Sequence, residues 1–343
     1  MNPELSVAIP NYNNADYVKT CLQSVCNQTL QPIEILFIDD ASTDTSIQIA
    51  KTIHDSRLSI VKNTINKGRL LNINFAFQQC LSPILTLLPS DDYWLTKTAF
   101  KRVKQIFDEN KKVVLVFCGT KNVTNTGDIE RVHQPFHEDT IFSGKSFLLR
   151  LLKNNLIFTS SVFVRKDILE KIGYFDEHID THGSRDWLTW LKFCFEGDIA
   201  YCHDEFVAER IHTQNITSNY QKSSAMTEHE LDVIDYFFQT YNHRFSNEQE
   251  KKQYEDVARS AWLNRAMVRA IRQKIVLLDS KACQLTLQFI NKNTPSVVID
   301  PLFLLTLFIS IIPLSFVRLL KKLPMNFLFY LRKRLFYKSS PNT

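Results

Sequence analysis

The sequence predicts an α/β protein whose mostly parallel sheet is covered by helices on both faces. Two observations carry this prediction. Over residues 5–118, short apolar runs alternate with segments of helical periodicity, the signature of strands joined by crossover helices. Two pairs of adjacent aspartates, Asp39-Asp40 and Asp91-Asp92, directly follow two of those apolar runs, and open parallel sheets bind ligands beyond the carboxyl ends of their strands.

Leu5–Ile9 is short and apolar and reads as the first strand. Residues 15–28 carry Tyr17, Cys21, Leu22 and Val25 at helical spacing. Ile33–Ile38 is the second strand, and residues 45–53 form a helix introduced by the capping residues Ser42, Thr43 and Asp44. Leu58–Val61 is a third strand. A helix with Leu71, Phe75 and Phe77 follows Gly68, the first glycine of the chain. Ile84–Leu88 is the fourth strand, 96–110 a helix and Val113–Cys118 a fifth strand. Residues 119–156 read as a polar loop region. Beyond it come a strand at Ile157–Val164, a short helix at 166–172, a helix at 185–195 carrying Trp187, Leu188 and Leu191, and a strand at Phe206–Ile211. From about residue 225 the apolar spacing is helical. Three parts follow: an α/β domain over 1–218, a helical extension over 219–295, and an apolar and basic tail over 296–343.

Composition narrows the function. The 343 residues suffice for one large domain or two ordinary ones. With seven glycines, none before Gly68, the N-terminal region has no glycine-rich phosphate loop, so bound phosphates would need a metal and side chains. The seven cysteines form no C-x-x-C pair and sit mostly in apolar runs. They read as buried thiols of a reducing compartment. Residues 1–10 lack the basic and apolar regions of a signal peptide. The net charge of +5 is local: from residue 301 on there is no acid and there are seven Lys or Arg, which leaves 34 of the 41 basic residues against all 36 acidic ones. A nucleic-acid-binding body is therefore not expected. Leu302–Val317 is apolar and broken by Pro313, and Arg318–Lys338 mixes Phe, Leu and Tyr with Arg and Lys. Such a tail suits an interfacial anchor on anionic lipid. It places the protein in the cytoplasm, peripheral or monotopic at the inner face of the cell membrane.

Two carboxylate pairs at neighbouring strand ends repel each other unless something cationic or hydrogen-bonding lies between them. A divalent metal carrying phosphates, beside a nucleotide base, meets that need. A single acid after a strand is ordinarily a turn or capping residue; two pairs at successive strand ends favour the ligand.

Several segments resemble one known family in order and spacing. They are Val7-Ala-Ile-Pro-Asn-Tyr-Asn13, Leu22–Gln28, Glu34–Asp44, Asn66-Lys-Gly-Arg69, Ser90-Asp-Asp-Tyr-Trp94, Gly173-Tyr-Phe-Asp176, Arg185-Asp-Trp187 and Arg210-Ile-His212. Over residues 5 to about 217 the chain resembles the family 2 glycosyltransferases, which have the GT-A fold and mostly invert configuration at the transferred sugar. The resemblance implies a metal-dependent transferase with Mn²⁺ or Mg²⁺, a nucleotide-sugar donor, most simply UDP-linked, and a glycan or lipid-linked acceptor. By position, Asp92 matches the metal ligand and Asp91 the contact to the donor's ribose or sugar. Asp39 matches the acceptor of a hydrogen bond from the base, Pro10 and Tyr12 the loop packing on that base, and Arg69 a basic position near the nucleotide. Asp186 matches the base that deprotonates the acceptor hydroxyl, and His212 is a candidate to complete the metal shell.

The chain departs from the family in two places. Arg185 stands where a glutamate often precedes the base, and Pro89 replaces the first acid of a D-x-D-D run. His178 and His182 read as an acceptor-side loop and not a metal site. The alternative to an enzyme is a non-catalytic, membrane-associated glycan-binding or scaffolding protein on the same fold.

Overall fold

The computed structural model describes residues 2–179, 185–211, 225–275, 279–294 and 310–311. Its strands are β1 (Leu5–Asn11), β2 (Ile33–Asp39), β3 (Leu58–Lys62), β4 (Ile84–Leu87), β5 (Tyr93–Trp94), β6 (Val113–Val123), β7 (Ile129–His133), β8 (Thr140–Phe142), β9 (Val162–Arg165) and β10 (Asp198–Arg210). Its helices are α1 (Ala15–Cys26), α2 (Ser46–Lys51), α3 (Arg69–Gln79), α4 (Ala99–Glu109), α5 (Gly144–Lys153), α6 (Lys166–Lys171), α7 (Arg185–Phe193), α8 (Ala225–Thr240), α9 (Glu248–Ile275) and α10 (Ser280–Asn293).

All ten strands belong to one sheet, ordered β3-β2-β1-β4-β9-β6-β10-β5, with β7 on β6 and β8 on β10. β3, β2, β1 and β4 run parallel, as do β6 and β10, while β9 runs antiparallel between β4 and β6. The chain leaves β1 towards β2 on one side and returns to β4 on the other. That reversal makes a topological switch point at the carboxyl ends of β1 and β4, the place where such sheets bind ligands.

The core follows from the periodicities. One layer packs Val18, Cys21, Leu22 and Val25 of α1 and Phe100, Val103, Ile106 and Phe107 of α4 onto Val7, Ile9, Ile35 and Phe163 of the sheet. Trp94, Phe100 and Phe163 meet ring to ring at 5.1–5.7 Å. On the other face Phe77, Leu169, Phe175 and Trp190 close around Leu85, Leu87 and Val164. The segment from Phe175 to Glu177 is pinned to α3 by Asn74, whose amide donates to Phe175 O at 2.9 Å and to Glu177 Oε1 at 2.8 Å.

The middle of the chain differs from the expectation. Residues 119–156, expected as polar loop, contain the β7 and β8 strands and α5. β7 is largely exposed, so no buried alternation marked it. α5 has a clear reason to exist: Ser143 caps it by accepting from Ser146 N, and Phe147, Leu148, Leu151 and Leu152 are buried. The strand expected at 157–164 begins only at Val162, after a short 3-10 turn at Thr159–Ser161. The strand expected at 206–211 starts eight residues earlier, at Asp198.

The chain divides into two compact units, Met1–Asn215 with His229–Ala261, and Ile216–Glu228 with Trp262–Thr343. In the first, Phe237 stacks on Phe195 at 5.7 Å and Arg244 pairs with Glu196 at 2.7 Å, which ties residues 229–261 to the sheet domain. In the second, Trp262 Nε1 donates to Thr227 O at 2.9 Å and Thr286 Oγ1 to Gln273 Oε1 at 2.8 Å. Among the described residues no helix is long and apolar enough to cross a membrane. All but two residues of the expected tail lie outside the described residues.

Candidate active site

The two loops that follow β1 and β2 are knitted into one floor. Asn11 and Asp39 are register partners at the ends of their strands. Asn11 Nδ2 donates to Asp39 Oδ1 at 2.7 Å, and Ser42 N donates to Asp39 Oδ2 at 2.9 Å. Asn13, with φ of 52°, accepts from Thr43 N at 2.9 Å and its own N–H donates to Ser42 Oγ at 2.9 Å. Asp44 accepts from Ala15 N and Ser46 N, each at 2.9 Å. Burial alone would raise the Asp44 carboxyl, but these N–H donors outweigh it and hold the group below the usual carboxylate range.

Asp39 is therefore completely buried, with each oxygen holding one neighbouring loop. Asp40 is buried too and accepts from Asn63 Nδ2 at 2.8 Å and from the N–H groups of Lys67 and Gly68, both at 2.9 Å. It thereby sets the turn that launches α3 at Arg69, an exposed residue. Tyr12 projects from the floor with 47% of its surface exposed, beside the half-buried Pro10.

The second acidic pair is clamped against β10. β5 follows Asp91-Asp92 at once and pairs antiparallel with β10, Tyr93 opposite Ala208 and Trp94 opposite Val207. That pairing delivers Asp92 Oδ1 to the N–H of Arg210 at 3.0 Å. The Arg210 guanidinium lies over the rings of Tyr93 at 4.8 Å and Tyr17 at 5.2 Å. Asp92 is buried while Asp91 is half-buried. Burial first, then the charges of Asp91 and Glu209, push the Asp92 carboxyl well above the usual carboxylate range.

Glu209 is a site residue that sequence reading missed. It sits half-buried on β10 beside its register partner Asn122 on β6. Ser160 Oγ donates to Glu209 Oε1 at 2.5 Å and Asn122 Nδ2 to Oε2 at 3.3 Å. Burial, with the charges of Asp91 and Asp186 adding to it against those donors, raises this carboxyl to about 7. The available signal was an acid closing the apolar run Phe206-Val-Ala-Glu209.

Asp186 occupies the first turn of α7, where the helix N-terminus favours a carboxylate. Its Oδ1 accepts from Trp187 N at 2.8 Å, and its Oδ2 from Thr159 Oγ1 at 3.1 Å and Asn155 Nδ2 at 3.5 Å. Burial raises it above the ordinary carboxylate range despite those donors and the charge of Arg69. Asp92 meets β10 at Arg210 N, next to Glu209, and Glu209 and Asp186 are held by the adjacent residues Ser160 and Thr159, so the three carboxylates share one frame. Asp39, Pro10 and Tyr12 form the floor beside it. His212 lies outside the described residues, as does His182.

Among the described residues no group of three or more His, Cys, Asp or Glu side chains is placed to hold a metal ion. The donor chemistry of Asp91 and Asp92 nevertheless suits a hard divalent cation, which takes carboxylate and phosphate oxygens and leaves part of its shell to substrate. Burial first, and the neighbouring carboxylates second, disfavour the charged form of Asp92, and a bound cation would offset both.

A switch point in an α/β sheet, with two locked loops beside an aspartate pair held against β10, suits a GT-A glycosyltransferase, the class to which the comparisons assign the chain. Residues 6–173 match the model of glycosyl transferase family 2, and this part of the chain belongs to that family. It is 35% identical over 109 residues to the UDP-Glc:α-D-GlcNAc-diphosphoundecaprenol β-1,3-glucosyltransferase WfaP of Escherichia coli, across 32% of this chain and 43% of that protein. Among solved structures it resembles S. aureus TarS 1–349 in complex with UDP, with a TM-score of 0.62 and 18% identity over 89% of this chain and 86% of that one. It also resembles the mannosyltransferase PcManGT of Pyrobaculum calidifontis in complex with GDP-Man and Mn²⁺, with a TM-score of 0.51 and 16% identity over 90% and 86% of the two chains.

Proposed function

We propose that this glycosyltransferase moves a sugar from a UDP-linked donor, with inversion, to a hydroxyl of a lipid-linked precursor of a cell-surface glycan. The observation that carries the reading is the hydrogen-bonded frame that sets Asp92 against Arg210 N on β10 and holds Glu209 and Asp186 by the adjacent residues Ser160 and Thr159. It provides a leaving-group end and a base end, as an in-line displacement at the anomeric carbon requires. The similarity to WfaP, whose name records a UDP-Glc donor and a diphosphoundecaprenol acceptor, favours these two substrates. The UDP complex of TarS agrees with the donor.

The floor of Pro10, Tyr12 and Asp39 receives the nucleotide base, with Asp39 held rigid by Asn11 and Ser42. Arg69 stands at the rim, where its charge reaches both donor and Asp186. Asp91 takes the ribose or sugar hydroxyls. Asp92, with His212, would hold a divalent cation, Mn²⁺ in keeping with the PcManGT complex; when bound, it supplies positive charge to the departing diphosphate. Asp186 accepts the proton of the acceptor hydroxyl as that oxygen attacks. Its raised pKa makes it a stronger base than an exposed aspartate. Thr159, Asn155 and the Trp187 N–H hold its carboxylate in one orientation. The basic, acid-free tail would keep the enzyme at the inner membrane face, where a lipid-linked acceptor is presented.

The test is release of UDP from UDP-glucose and UDP-N-acetylglucosamine in the presence of Mn²⁺ and membrane-extracted lipid acceptor. Turnover by the wild type and its abolition in a folded Asp92→Ala protein support the reading. No turnover with any nucleotide sugar, or full activity of Asp92→Ala, overturns it.

A further inference from the structure

Glu209 has no part in the mechanism derived above, yet it stands inside the site. Its backbone is the last but one position of β10, and Asn122 and Ser160 grip one carboxylate oxygen each. A carboxylate offers about four acceptor positions, so these two donors leave about half of them open. The residue is half-buried while Phe206, Val207 and Ala208 before it are buried, so it stands where β10 leaves the core, one residue before Arg210, whose N–H holds Asp92.

Its neighbours fix where in the reaction it stands. Its chain neighbour Arg210 donates its N–H to Asp92 at the leaving-group end, and Ser160, which holds it, adjoins Thr159, which holds Asp186 at the base end. In an in-line displacement the body between those ends is the transferred sugar. A fourth carboxylate there is costly unless a ligand donates hydrogen bonds to it. The metal-binding end and the acceptor hydroxyl already answer the charges at Asp92 and Asp186. The ring hydroxyls of the donor sugar are the donors that remain.

Resting on the nucleotide-sugar reading, we propose that Glu209 is a sugar-binding residue that accepts a ring hydroxyl of the transferred sugar and selects the donor, with Ser160 and Asn122 as positioning residues. A site built to hydrogen-bond a hydroxyl discriminates strongly against a sugar that lacks or misplaces it, because the buried polar group is then left without its partner. The donor preference of the protein is thereby assigned in part to β10 and not to the loops alone.

The experiment uses the full chain with Mn²⁺ and calorimetric titration of UDP, UDP-glucose, UDP-galactose and a series of UDP-glucose analogues each lacking one ring hydroxyl. The wild type should bind one sugar more tightly than its epimer and lose about ten- to hundredfold in affinity when one particular hydroxyl is deleted. Glu209→Gln should bind UDP within about twofold of wild type and be indifferent to that same deletion, so the two changes fail to add. Ser160→Ala, which leaves the carboxylate in place but removes one of its holders, should show the same loss to a smaller degree. A Glu209→Gln protein that keeps the full hydroxyl dependence overturns the proposal while leaving the nucleotide-sugar reading intact. So does a variant that loses UDP and UDP-glucose by the same factor, since Glu209 would then act on the nucleotide or the fold. A folded wild type that binds none of these ligands overturns both.

Discussion

Replacing Asp186 by Asn separates the chemistry of the site from its architecture. The amide oxygen can keep the bond from Trp187 N, and the amide nitrogen can donate to Thr159 Oγ1, whose hydroxyl rotates. Only the long Asn155 contact, 3.5 Å, becomes donor against donor. Stability should change by about 1 kcal/mol or less. The sign can be worked out. Burial raises the folded pKa of Asp186 above its unfolded value, so its ionisation opposes folding. That contribution is neutral below the unfolded pKa and becomes a penalty as pH rises through the folded pKa. Asn carries no such penalty, so the variant's Tm at pH 7.5 should equal or exceed that of the wild type. Activity should respond in the opposite sense. Loss of a positioned base costs about 10²- to 10⁴-fold, or about 3–5 kcal/mol of transition-state stabilisation. The assay is steady-state UDP release with Mn²⁺, alongside thermal melts and UDP titration. A folded variant that binds UDP and turns over within tenfold of wild type would refute the assignment of the base.

Four further outcomes follow from particular contacts. The acid limb of kcat/KM should fall above the ordinary carboxylate range, because burial holds Asp186 up, and Arg69→Ala should move that limb higher still by removing a charge that lowers it; pH-rate profiles of the two proteins read both effects. Asp39→Ala leaves the buried Ser42 N–H without its acceptor and the Asn11 amide with Ser42 Oγ alone, at 3.1 Å, and should cost about 1–3 kcal/mol in urea unfolding. Tyr12→Ala removes an exposed ring; stability should stay within about 0.5 kcal/mol while UDP affinity drops in calorimetry. Gly144→Ala should destabilise by about 3 kcal/mol or more in the same unfolding assay, since a Cβ there would lie 2.0 Å from Cys194 O and 2.5 Å from Gly197 O.

Much of this was legible in the sequence because it rests on local rules. β1 to β4 and α1 to α4 announce themselves through apolar runs and helical spacing, and the acidic pairs mark the strand ends that carry the site. What sequence could not supply was pairing. Nothing local says that β9 runs antiparallel between β4 and β6, or that β10 begins at Asp198. β7 was hidden by its exposure, and α5 by the polar residues around its apolar face. Glu209 was missed for the same reason: it becomes a site residue only because β5 pairs with β10 and brings Asp92 beside it. Asp39 and Asp40 read alike as sequence, yet one locks the loops after β1 and β2 together and the other sets the turn into α3. Only three-dimensional hydrogen bonding tells them apart.

The most direct test of the central claim is calorimetric titration of UDP into the full-length protein and its Asp92→Ala variant, each with and without Mn²⁺. Binding by the wild type that strengthens with Mn²⁺, and loses that dependence in the folded variant, is the predicted result. A folded wild type that binds no UDP with Mn²⁺ present, or a variant whose Mn²⁺ dependence matches the wild type, would contradict the account.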